Sequence, residues 1–190
     1  MLGHNTLVHV QRATPDDAAG IATLHDQAQR EAVRLARRRA DPKAASGAAR
    51  TRGSGPCASG SLGESSWRIT LKLASGDHRP WVATLADRTV GFVCGGPSRD
   101  ADAPPAIGEL YVTDFDFDDG QGAGARALLH HACRDLRVHG FEVATVWVVA
   151  RDQCTRDLLE DDGWTRDETW RRDRIAGVPL LEYRYRKVLT

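Results

Sequence analysis

Apolar and polar positions alternate along residues 109–117: Leu110, Val112 and Asp114 fall on one side, and Tyr111, Thr113, Phe115 and Phe117 on the other. Alternation with period two in β-branched and aromatic residues predicts a strand. A turn of small residues follows, Gly120-Gln121-Gly122-Ala123-Gly124-Ala125, and then the period changes. Leu128, Leu129, Ala132, Cys133 and Leu136 recur at helical spacing, so 126–139 reads as a helix, with Gly140 suited to the position just past its end. Val143–Val149 is a second apolar strand.

Upstream, 8–12 is a short strand. Thr14-Pro15-Asp16-Asp17 has the chemistry of a helix start, with Thr14 as N-cap, Pro15 at the first helical position and acids in the first turn. Ala18, Ile21, Leu24 and Ala28 continue that helix as an apolar stripe, through Leu35 into Arg37-Arg38-Arg39. Residues 67–73 form a short amphipathic helix. Residues 80–86 and 90–94 read as antiparallel strands, joined through Ala86-Asp87-Arg88-Thr89, and 95–105 as a Gly/Pro/Asp loop. A last helix spans 152–161 and closes at Gly163; two terminal strands, 165–174 and 181–188, complete the chain. Strands mixed with helices place the fold class as α/β (α+β) around one largely antiparallel sheet.

Residues 40–66 are rich in Gly, Ala, Ser and Pro and nearly devoid of large apolar side chains. Such a segment buries too little surface to offset its ordering entropy, so it is expected to be a mobile loop inside one domain spanning 8–190. Lys plus Arg (26) equals Asp plus Glu (26), so no net charge draws the chain to nucleic acid or an anionic membrane. The arginines at 37–39 sit where a helix C-terminus favours cations, and no aromatic residues interleave with them. No apolar run approaches the ~18 residues of a membrane span, and the N-terminus lacks the pattern of a secretory signal. The four cysteines form no Cys-x-x-Cys pair, and the adjacent His130 and His131 point in different directions on a helix. A reduced, cytoplasmic protein with no metal is the expectation.

A strand, a glycine-rich turn and a helix N-terminus together make an anion site, because backbone N–H groups and the helix dipole both favour a phosphate. The same pattern also serves as a tight connection with no ligand. A nucleotide-binding α/β domain is disfavoured, since no Lys-Ser/Thr pair follows the glycines.

The order of elements over 8–189, Glu109-Leu110-Tyr111, the glycine-rich turn, Gly163-Trp164 and Glu182-Tyr183-Arg184-Tyr185 resemble the GNAT superfamily of acyl-CoA-dependent N-acyltransferases. The resemblance implies a central mixed sheet flanked by helices, with the strands at 109–117 and 143–149 splayed apart to hold the pantetheine arm of acetyl-CoA. By position, backbone groups of Phe115 and Asp116 bond that arm. Gln121, Gly122, Ala123, Gly124, Ala125 and Arg126 hold the pyrophosphate, and Asp152 stands where an asparagine commonly starts the last helix. The pyrophosphate motif fits in two registers, from Asp119 with Gly122 and Gly124, or from Gly120 with Ala123 and Ala125. Asp114, Asp116, Asp118 and Asp119 bring negative charge to the same place.

Glu109 is the candidate base, or alternatively a strand-end carboxylate paired with an arginine. Glu182 is a weaker candidate, Tyr111 reads as a packed aromatic and Cys154 as structural. The family's tyrosine acid, four residues before Gly163, is Leu159 here. The implied activity is transfer of acetyl from acetyl-CoA to an amine of a small molecule or peptide. The alternative is a diverged, weakly active or inactive module binding acyl-CoA or a protein partner. Late strands of such folds often pair between subunits, which implies a homodimer.

Overall fold

The computed structural model describes residues 7–37, 49–50, 63–74, 76–101, 103–117 and 122–190. Among these, one sheet contains β1 (His9–Arg12), β2 (Ala49–Arg50), β3 (Arg79–Leu85), β4 (Arg88–Pro97), β5 (Ile107–Phe115), β6 (Val143–Val149), β7 (Thr165–Ile175) and β8 (Val178–Val188). Their order is β1-β3-β4-β5-β6-β8-β7-β2. Neighbours are antiparallel except β5–β6 and the short β2–β7 pair. The helices are α1 (Ala18–Arg37), α2 (Glu64–Leu73), α3 (Ala123–Val138) and α4 (Gln153–Asp161).

The sheet separates two cores because its residues alternate. Val82 and Phe92 meet Ile21 and Leu24 of α1 and Trp67 and Leu71 of α2. Their neighbours Ala83 and Val93 belong to the other core, with Leu128, Leu129 and Leu136 of α3 and Leu158 and Leu159 of α4. The helix start at Thr14 is as expected: the Thr14 N–H donates to the Asp17 carboxylate at 2.7 Å, and a 3-10 turn from Pro15 to Asp17 leads into α1.

Three expectations are corrected. The predicted loop over 40–66 contains β2, and α2 begins inside it at Glu64 with Gly63 as its N-cap; residues 40–48 and 51–62 lie outside the described residues. The predicted loop over 95–105 gives up Gly95, Gly96 and Pro97 to β4. Gly95 and Gly96 are strand residues at a crowded crossing. A Cβ on Gly95 would lie 3.1 Å from Leu110 Cδ2, and one on Gly96 would run into the Asp77 carbonyl oxygen.

The third correction concerns β5. Cys94 lies opposite Val112 but Gly95 lies opposite Leu110, so Tyr111 is an extra residue, a β-bulge. Leu110 packs in the α3 core, whereas Asp114 faces His25 of α1. Strict alternation puts these two on one face; the bulge reverses the phase between them. The strand also ends at Phe115 rather than at 117.

Candidate active site

The decisive geometry lies between β5 and β6. Their parallel pairing runs from Ile107↔Val143 to Leu110↔Val146 and ends there. Beyond that point β5 continues only against β4, and β6 only against β8. The two strands therefore diverge toward their C-terminal ends. A cleft of about 440 Å³ lies at that open end, with Leu24 and Ala28 of α1 on one wall, Phe115 and Asp116 on another, and Val149, Asp152 and Cys154 beyond.

α3 starts beside this cleft. Gly122 precedes it at φ 62°, a left-handed conformation that favours glycine, and the Arg126 N–H donates to the Gly122 carbonyl at 2.9 Å as the helix begins. A Cβ on Gly122 would lie 3.5 Å from the ring of Phe117, which also lines the cleft. Gly124 and Ala125 are buried, Ala123 is exposed, and Arg126 pairs with Asp161 of α4 at 3.3 Å. Gln121 lies outside the described residues. At α4, Asp152 caps the helix, accepting from the Thr155 N–H at 3.0 Å and its hydroxyl at 2.7 Å. Cys154 is exposed on the cleft wall, so its thiol is not a packing group. Leu159 is buried in the α3–α4 core.

Two of the four aspartates expected to crowd the site have basic partners. Asp116 pairs with Arg88, and its N–H donates to the Val90 carbonyl at 2.9 Å. Asp114 lies 2.7 Å from His25 Nδ1, and Gln29 Nε2 lies 2.8 Å from His25 Nε2. With the amide donating, the ring proton sits on Nδ1 and is shared with Asp114. Asp118 and Asp119 lie outside the described residues. Sequence reasoning missed His25. Its signal was position: it falls four residues after Ile21 and seven after Ala18, on the buried stripe of α1.

Glu109 lies one pair before the ladder ends, opposite Thr145, and is 2% exposed. It accepts from the Arg99 N–H at 2.7 Å, and Arg99 Nη2 stands 3.4 Å from its other oxygen. The carboxylate is thus held at the apex of the divergence and paired with an arginine. Tyr111 is a packed aromatic: Arg99 Cζ lies over its ring, 3.9 Å from the centroid, and its hydroxyl donates to the Pro97 carbonyl. Burial, and next the charge of Glu109, push the Tyr111 phenol well above its ordinary pKa. Glu182 is paired with the buried Arg171.

No family model matches the sequence, and no curated protein matches it. Solved structures do match in shape. Ribosomal-protein-alanine N-acetyltransferase from Brucella melitensis superposes with a TM-score of 0.69 at 16% identity, over 95% of this chain and 99% of the other. An acetyltransferase of the GNAT family from Streptococcus pneumoniae gives 0.62 at 16% identity, over 97% and 100%. A Salmonella typhimurium protein solved with its cofactor acetyl-CoA gives 0.65 at 17% identity, over 96% and 94%.

The chain has the GNAT fold. At these identities the likeness concerns architecture, and within it the diverging β5 and β6 are the splayed central pair that the family resemblance implied. The GNAT sheet here carries its two cores on opposite faces, with α1 and α2 on the face where Asp114 meets His25. No helix among the described residues is long and apolar enough to cross a membrane.

Proposed function

We propose that this chain transfers an acetyl group from acetyl-CoA to the amine of a small molecule or peptide by direct attack. One observation carries the reading: the β5–β6 ladder ends at Leu110 and Val146, and a cleft opens where the strands part. A thiol-terminated arm with amide groups suits that cleft, because strand edges that have left a ladder offer N–H and carbonyl groups to it. The Salmonella protein of the same fold holds acetyl-CoA, which supports the same co-substrate here.

In this reading backbone groups of Phe115 and Asp116 bond the arm. The segment from Gln121 to Arg126 takes the pyrophosphate with the positive end of α3. Asp152 fixes the start of α4 at the far wall. Bound acetyl-CoA supplies an acetyl group activated as a thioester. Glu109 receives the proton the amine loses, directly or through a water, and the Arg99 N–H keeps its carboxylate oriented.

Acetyl-CoA titrated into the protein by calorimetry tests the reading. Micromolar affinity, about −8 kcal/mol, is expected; no binding up to about 1 mM removes both the transferase and an acyl-CoA module. A Gly122→Val variant is expected to weaken that binding at least tenfold. It places a β-branched side chain in a left-handed conformation costing about 1–2 kcal/mol, and it bulks the turn beside Phe117. Unchanged affinity would discard this turn as the phosphate site.

A second reading, a weakly active or inactive module that binds acyl-CoA, is favoured by Leu159. A hydrocarbon side chain buried in the core stands where the family places a phenol. Release of coenzyme A thiol in the presence of amines separates the two readings once binding is established.

A further inference from the structure

Three buried nitrogen atoms near the apex of the divergence have no hydrogen-bond partner: Nε and Nη1 of Arg99, and Nε1 of Trp147. The backbone brings them into one patch. Trp147 follows the last rung of the β5–β6 ladder, and Val146 and Val148 on either side of it belong to the α3 core, so Trp147 points to the opposite face. Across the next rung Trp147 faces Arg184. Arg99 bonds Glu109 on β5, while the adjacent Asp100 binds Arg184 on β8 at 2.8 Å. The segment bearing Arg99 therefore crosses over β6, where Trp147 lies.

The guanidinium is not adrift. It is stacked on Tyr111 at 3.9 Å and tied to Glu109 by Nη2, which leaves the other two nitrogens for something else. Trp147 is 7% exposed and has Arg171 over its ring at 4.2 Å. The unpartnered buried side-chain atoms of this patch are all donors, so what satisfies them is an acceptor. Buried donors of this kind mark a ligand or a water. The patch as a whole holds three cations, Arg99, Arg171 and Arg184, against four carboxylates, Asp100, Glu109, Asp167 and Glu182. A multiply charged anion meets that excess of carboxylate unfavourably, whereas a single carboxylate joined to an ammonium suits both the donors and the surrounding acids.

We infer that the acetyl acceptor is a free amino acid, whose carboxylate binds the spare nitrogens of Arg99 and the indole N–H of Trp147 while its amine lies toward Glu109. This rests on the acetyl-transfer reading, and it adds the chemistry of the acceptor.

The test compares L-amino acids with their methyl esters as acceptors, by thiol release from acetyl-CoA, in the full-length protein and in Arg99→Lys. Lysine keeps a cation against Glu109 but lacks the additional nitrogens. The expected result is a kcat/KM for the best amino acid at least about tenfold above that of its ester, carried mainly by KM, and lost in Arg99→Lys while acetyl-CoA still binds. Equal use of acid and ester, or a preference that survives Arg99→Lys, overturns the inference and leaves acetyl transfer standing. Calorimetry with a set of N-acetyl-L-amino acids, without acetyl-CoA, reads the carboxylate site apart from catalysis. Binding that weakens about tenfold in Arg99→Lys supports the site even if no amine is acetylated, in which case the transfer reading is what fails. Absence of both amino-acid turnover and N-acetyl-amino-acid binding overturns the inference alone; acetyl transfer then falls only if acetyl-CoA also fails to bind.

Discussion

Glu109→Gln is expected to lower amine-dependent turnover by about 10²–10⁴-fold, the usual worth of a general base, with acetyl-CoA affinity unchanged. Glutamine keeps the shape of the side chain and still accepts from the Arg99 N–H, which presently sits 2.7 Å from the carboxylate. What it loses is the capacity to take a proton. The carboxylate lies where β5 and β6 begin to part and is removed from bulk water, so a substitute base from solvent does not reach it easily. The measurement is steady-state thiol release beside calorimetric binding of acetyl-CoA. Full turnover in the variant takes Glu109 out of the mechanism and returns it to the role of an ion-pair partner for Arg99. The His25–Asp114 pair would then be the next group to substitute, since a histidine oriented by a carboxylate has the makings of a base.

Trp67→Ala is expected to cost about 3–5 kcal/mol of stability, the range for removing a large buried aromatic. Trp67 is 1% exposed and sits where α2 meets α1 and the sheet, edge-on to the rings of His25 at 5.3 Å and Phe92 at 5.1 Å. Its removal leaves a cavity bounded by a helix and a strand that cannot both move inward. The indole N–H has no partner, and relief of that one group offsets part of the loss. Urea denaturation followed by intrinsic fluorescence or circular dichroism gives the number. A loss under about 1 kcal/mol would show that this helix contributes little to the cooperative core. Since Trp67 packs on His25, the variant is also expected to loosen the His25–Asp114 contact.

Much of the architecture was legible because it is local. The strands β3, β6 and β7 were read nearly to the residue, and the Thr14-Pro15-Asp16-Asp17 start and the Gly140 and Gly163 endings bracketed helices as capping chemistry requires. Gly95 and Gly96 misled, since glycine signals a loop by composition but here answers a crowded strand crossing. The bulge at Tyr111 was invisible, being a property of how β5 meets β4 rather than of β5 itself. The site followed the same division. Phe115, Asp116 and Asp152, which the resemblance implied as cofactor-binding, line the cleft. The partners of Asp114 and Asp116, and the Arg99, Arg171 and Arg184 contacts, join residues 10–89 positions apart, and no periodicity reports such pairings. Asp114 and Asp116, two of the four aspartates that looked like a repulsive crowd, are answered by His25 and Arg88 from elsewhere in the chain.

The extra residue at Tyr111 makes β5 two short strands of opposite parity on one backbone. The first half sets Leu110 into the core with Glu109 on the far side, and the second turns Asp114 to the α1 face. Each half keeps its own rule for which positions tolerate polar residues. A one-codon deletion between Glu109 and Asp114 would merge the two rules and send one of these acids to the wrong side of the sheet, whereas point substitutions leave the parity untouched. In a lineage of such chains, this stretch is therefore expected to accumulate exchanges of side chains long before it accepts any change of length.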